Sequence, residues 1–154
     1  MTYLTNPVVP AGELTSVDTV AKYPMLTQAK GSDGNTYIYL TGVASTAAGS
    51  FVTYDELGIT SLLAANAIGP VAIAVAATVA STYGWYCIEG SVQGLVAASF
   101  ADNGLVYATA TAGTADDAVV AGDRVKNALG RSAISDGKAL IQVWNPFMDD
   151  ATAA

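Results

Sequence analysis

Turn-forming clusters break this chain at intervals of about ten residues, and between them apolar residues alternate with a period of two. That punctuation admits several short strands and leaves little room for long helices. Pro24 to Leu40 reads as a hairpin, with MLTQA and TYIYL flanking Gly31, Ser32, Asp33, Gly34 and Asn35. Asp-Gly and Gly-Asn supply the positive φ that tight hairpin turns demand. Tyr37 and Tyr39 then share one face, and Ile38 and Leu40 the other. Ser50–Asp55 is a further strand, and Val71, Ile73, Val75, Ala77 and Val79 alternate through another. After a turn at Ser81–Gly84, WYCIEGSV and GLVAASF continue the pattern, as does LVYATATAG after Asp102-Asn103-Gly104. The last expected strand is Ala139–Trp144, which Pro146 should stop. The class that follows is all-β, mainly strand with at most one or two short helices, arranged as a compact sandwich or barrel.

Two stretches fit helix. Ile59–Ala67 is the stronger; Asp116–Leu129 is weakened by Gly122 inside it. At 154 residues the chain fits one domain. Residues 1–22 carry Pro7 and Pro10 with little periodicity and read as an extended N-terminal arm, free to pack on its own domain or a neighbour's. Residues 23–148 form the single β-rich domain, and 149–154 a flexible C-terminal tail.

Charge narrows the function. Only 12% of residues are charged and 52% are hydrophobic, against about a quarter charged in an ordinary soluble domain. Either Ser, Thr, Asn and Tyr cover the outside, or partners cover part of it. Nucleic-acid binding needs Lys and Arg to displace counterions. This chain has six scattered basic residues and a net charge of −7, so no direct nucleic-acid partner is expected. MTYLTNPVVP lacks the basic and apolar regions of a signal peptide. The charge-free stretch from Leu57 to Ile88 is interrupted by Gly58, Asn66 and Gly69-Pro70, and its apolar piece from Val71 to Ala80 is too short to span a membrane.

The usual chemistry is missing. With no histidine there is no Ser-His-Asp or Cys-His pair, and the commonest zinc ligand is gone. Cys87, the lone cysteine, reads as a small buried hydrophobe. Gly90–Gly94 imitates a nucleophile elbow but has Val92 where serine is required. Gly137-Lys138 lacks the upstream glycine of a phosphate loop. Asp33-Gly34-Asn35 opens like a calcium loop but continues with Tyr37 and Ile38, so a hairpin turn is expected. Asp116-Asp117 and Asp149-Asp150 are adjacent pairs that a strand would point to opposite faces. No catalytic residues, metal or cofactor are therefore expected; a Ser-Lys hydrolase would need a serine beside Lys22, Lys30, Lys126 or Lys138.

The aromatic residues carry more. Tyr83, Trp85 and Tyr86 cluster around Gly84, and an apolar strand flanks Trp85, which favours core. Trp144 and Phe147 beside Pro146 fit core and interface equally, because Trp and Tyr also dominate binding hot spots. The candidate contact residues are accordingly Tyr3, Leu4, Pro7, Val8, Val9 and Pro10 of the arm, with Trp144, Pro146 and Phe147.

Three stretches carry a resemblance: DGNTYIYLTGVASTAAGSFVTYDE, the Ala-rich strand leading into STYGWYCIEGSV, and LVYATATAGTADDA through ALIQVWNP. In these the chain resembles the small decoration, or cement, proteins of tailed-bacteriophage capsids. The Tyr-Gly-Trp turn is the sharpest element, and the arm before Lys22 lies outside the likeness. The resemblance implies a β-rich structural subunit, often a homotrimer, assembled in the host cytoplasm. It would sit on the outer capsid surface of the virion, where it bridges neighbouring major capsid proteins and stabilises the shell. The alternative is a virion surface module that binds a host glycan or receptor through exposed Tyr and Trp.

Overall fold

The computed structural model describes residues 8–149. Eleven strands and one helical turn follow in chain order: β1 (Val8–Val9), α1 (Ala11–Leu14), β2 (Gln28–Gly31), β3 (Thr36–Thr41), β4 (Phe51–Tyr54), β5 (Thr60–Leu62), β6 (Ile68–Ala74), β7 (Tyr83–Leu95), β8 (Leu105–Ala108), β9 (Ala115–Asp116), β10 (Arg124–Gly130) and β11 (Lys138–Asp149). The protein is all-β, and all its strands join one mixed sheet ordered β1-β2-β3-β7-β6-β11-β10-β8-β9, with β4 and β5 branching from β6. Among the described strands only β1 and β2 pair in parallel; the other pairs are antiparallel. The path ends at β1 and β9, which do not pair with each other among the described residues.

The thirteen-residue β7 is the spine. Its first half pairs with β3 on one edge, Tyr39 against Trp85, and touches β6 on the other, Ile73 against Cys87. Its second half pairs with β11, from Glu89–Trp144 to Leu95–Lys138. The alternation of Tyr37, Ile38, Tyr39 and Leu40 is realised with both faces buried. Tyr37, Tyr39, Trp85 and Cys87 enter the larger core cluster; Ile38, Leu40, Tyr86 and Ile88 enter a second one on the other side. Residues 9–25 cover the first face, with Val9, Leu14, Tyr23 and Met25 packed on it. Leu26, Tyr54 and Leu62 cover the second.

Several expectations need correction. Ile59–Ala67 is not a helix: Thr60–Leu62 pairs with β4, Val52 against Leu62. The Thr60 hydroxyl donates to Thr41 O at 2.6 Å, and Asn66 turns the chain at φ 58°. Strand pairing and burial of Leu63 outweigh a weak helical spacing. Asp116–Leu129 is not a helix either. Gly122 at φ 86° closes a turn, and β10 then sends Val125 and Ala128 into the core. The strand expected to reach Val79 stops at Ala74. The chain beyond it folds over, with Thr78 fully buried and hydrogen-bonded to the Tyr86 hydroxyl. Gly42 permits that close approach, since a Cβ there would lie 1.9 Å from Thr78 O.

Pro146 does not stop the last strand, which continues to Asp149; that residue pairs with Ile68 and so is not tail. The proline falls where β11 changes partners, after Trp144 against Glu89 and before Phe147 against Pro70. Opposite it, one residue of β10 stands against three of β11, between the Lys126–Phe147 and Ala128–Val143 pairs. A bulge with no ladder bond to lose is one of the few places a sheet accepts proline.

Candidate interaction surface

The ionisable groups expected to be inert are bound into structure. Burial pushes the Cys87 thiol up to about 12, and its sulfur lies 3.5 Å from Glu89 O. Asp33 Oδ1 accepts from Asn35 N at 3.0 Å and Oδ2 from the Tyr37 hydroxyl at 2.5 Å, which commits that carboxylate to the hairpin turn. Asp117 Oδ2 accepts from Ala101 N at 3.0 Å. Among the described residues no serine hydroxyl bonds a lysine ammonium, and no group of three or more His, Cys, Asp or Glu could hold a metal ion. No described helix is long and apolar enough to cross a membrane.

The surface is more distinctive. Beyond β7 the sheet is covered on one face and largely uncovered on the other. Val106, Val125, Ala128, Ile141 and Val143 point into the larger core, while on the opposite face of β8, β10 and β11 Leu105, Trp144 and Phe147 are exposed and Tyr107 is buried. Trp144 and Phe147 belong to this open face, 43% and 38% exposed. They are three apart in sequence, so strict alternation would place them on opposite faces. Asn145, at φ 52°, slips the in-and-out phase by one residue and brings both outward. A matching slip at Asn127, φ 59°, keeps Lys126 opposite Phe147, and Asn127 Nδ2 lies 3.5 Å from Asn145 O.

The result is a groove of about 490 Å³. Its floor is Leu105, Leu129, Trp144 and Phe147; Arg124, Lys126 and Asn127 stand beside it. Lys126 is bound to Asp149, with its ammonium 5.6 Å from the Phe147 ring centre. Arg124 has no ion-pair partner among the described residues. Across the strand pair, Phe147 meets Pro70 and Asp149 meets Ile68, which is 74% exposed. There a second hollow opens between Tyr54, Ile68 and Pro70, edged by Asp55 and Glu56. An apolar band thus crosses β8, β10, β11, β6 and β4, about 20 Å at the usual strand spacing.

The candidate contact residues therefore separate. Trp144 and Phe147 are brought together on the open face, while Pro146 between them is buried. Val8 is exposed on β1, at the far end of the sheet, Val9 is buried in the core, and Pro10 is exposed. Tyr3, Leu4 and Pro7 lie outside the described residues. Leu105, Ile68 and Pro70 were not among the candidates. Their signal is faint: in IGPVAIA the residues before Val71 look like the start of a buried run, and only pairing with β11 reveals them as outward. Comparison with protein-family models, with curated proteins and with solved structures gives no match for this chain.

Proposed function

We propose that the protein is a structural component that works by lying against other protein surfaces, as an oligomeric decoration protein on the outside of an icosahedral phage capsid. In that role it bridges neighbouring major capsid proteins and stabilises the shell without catalysis. One observation carries the reading: an apolar band with Trp144 and Phe147 at its centre faces outward on the sheet. Contiguous exposed apolar patches on soluble chains mark interaction sites, and tryptophan is enriched among the residues that carry the binding energy there. The acidic remainder supports the reading, because a net charge of −7 keeps decorated particles apart in solution. The likeness to decoration proteins in the Tyr37, Trp85 and Trp144 segments adds to it.

The test is cosedimentation with undecorated heads of the phage that carries the protein, followed by imaging of the particles. Saturable binding and raised resistance of the heads to heat are expected. A chain that stays in the supernatant at every head concentration would refute the proposal.

A further inference from the structure

The groove beside Arg124 has a counterpart on the same molecule. The turn between β4 and β5 ends in Asp55-Glu56-Leu57-Gly58, and it is held stiff. Asp55 Oδ1 accepts from Leu57 N at 3.0 Å and from Ile59 N at 2.9 Å, and Gly58 N donates to Asp55 O at 3.0 Å. With the Asp55 carboxylate engaged in this way, Glu56 and Leu57 form the free tip. Leu57 is 64% exposed, and Glu56 has no ion-pair partner among the described residues. The tip is thus an apolar side chain next to a free carboxylate, and the groove an apolar floor next to a free guanidinium.

We propose that the groove takes the β4–β5 tip of a second copy of this chain, Leu57 on the Leu105–Trp144–Phe147 floor and Glu56 against Arg124. The inference rests on reading the protein as an assembly component, and it names the contact between copies. Charge favours this occupant. Two chains of net charge −7 repel in most orientations, so copies approach productively where a cation of one meets an anion of the other. Preorganisation favours it as well, since a tip already fixed by its own hydrogen bonds loses little freedom on docking. A single tip and groove bury less than a stable interface needs, about 800 Å² per partner. The contact therefore holds when it closes on itself, reciprocally between two copies or head-to-tail around a ring, so that every groove is filled.

The experiment is the mass of the purified full-length chain by light scattering at tens of micromolar. The native protein is expected to be a closed oligomer. Leu57→Asp should weaken association on the order of 30-fold or more. Arg124→Glu and Glu56→Arg should each give monomer, and the two together should restore the oligomer. A monomeric native chain, an oligomer indifferent to both single charge reversals, or a double variant that stays monomeric would each overturn the contact. Should a charge variant lose its cooperative melt, oxidation of a Leu57→Cys, Leu105→Cys chain decides instead: a covalent ladder between copies is expected, and monomer alone overturns the proposal. Native Cys87 is buried and stays out of that reaction. A native monomer that still cosediments with heads removes this contact and the oligomer and leaves binding to the capsid standing. An oligomer that ignores heads does the reverse.

Discussion

The two halves of the sheet solve the same problem differently. Around β3 and the first half of β7, both faces are covered: residues 9–25 on one side, Leu26, Tyr54, Leu62 and the Thr78 loop on the other. Around β8, β10 and β11, the chain supplies cover for one face and leaves Leu105, Trp144 and Phe147 on the other. Both halves have similar apolar strands. What differs is how much flanking chain is available to fold over them. The lesson is that a two-sided strand pattern is satisfied by the same chain in one place and left for a partner in another.

Truncating one tryptophan in each half sharpens this contrast most. Trp85 packs edge-on to Tyr39, ring centres 5.1 Å apart, inside the covered half. Trp85→Ala should cost about 3–5 kcal/mol in denaturant unfolding, whereas Trp144→Ala should cost about 1 kcal/mol or less in a monomeric background. Equal losses would mean that the open face is as integral to the fold as the covered one. The next largest effect is expected at Gly42→Ala, where the added methyl meets the backbone of the covering loop. A loss of about 1–3 kcal/mol, with a larger increase in amide exchange near Thr78 than near Trp144, is expected.

Acid offers a third contrast. Asp18 is buried beneath the covered half, where it accepts from the Tyr39 hydroxyl at 2.6 Å and pairs with Lys22 at 2.9 Å. Burial opposes its ionisation, and the bonds from Tyr39 and Lys22 outweigh that opposition, holding its pKa below the ordinary aspartate value. A depressed folded pKa contributes stability that is full above the unfolded value and is lost as pH falls through the folded one. Stability should therefore fall on acidification below the ordinary carboxylate range, and less steeply in Asp18→Asn. Parallel curves for the two proteins would show that this carboxylate has no special part in acid sensitivity. The smallest effect is expected at Cys87. Fully buried, and with its thiol pushed up to about 12, it should resist thiol reagents at neutral pH until the chain unfolds. Rapid labelling of the native protein would mean that the covered half opens readily.

Much of this was legible without coordinates. Period-two alternation placed Tyr37, Tyr39, Ile38 and Leu40 on their correct faces, and the apolar flanks of Trp85 placed it in the core. Helices at Ile59–Ala67 and Asp116–Leu129 were misread because short apolar runs fit either period, and long-range pairing with β4 and β11 settles which one holds. At the candidate surface, Trp144 and Phe147 were visible as an aromatic pair beside a proline. Their common orientation was hidden, because it depends on the left-handed turns at Asn127 and Asn145, which no local pattern announces. Leu57 figured only as the start of the charge-free stretch, and nothing local marked it as the tip of a hairpin.

The slip at Asn145 also bears on how such a chain can change over generations. Losing that one residue would leave Trp144 and Phe147 two apart, so plain alternation would keep both outward and Met148 inward. A three-nucleotide deletion at this place would thus spare the aromatic groove, whereas the same loss inside the regular ladder of Lys138–Trp144 with β7 would turn over the side chains beyond it.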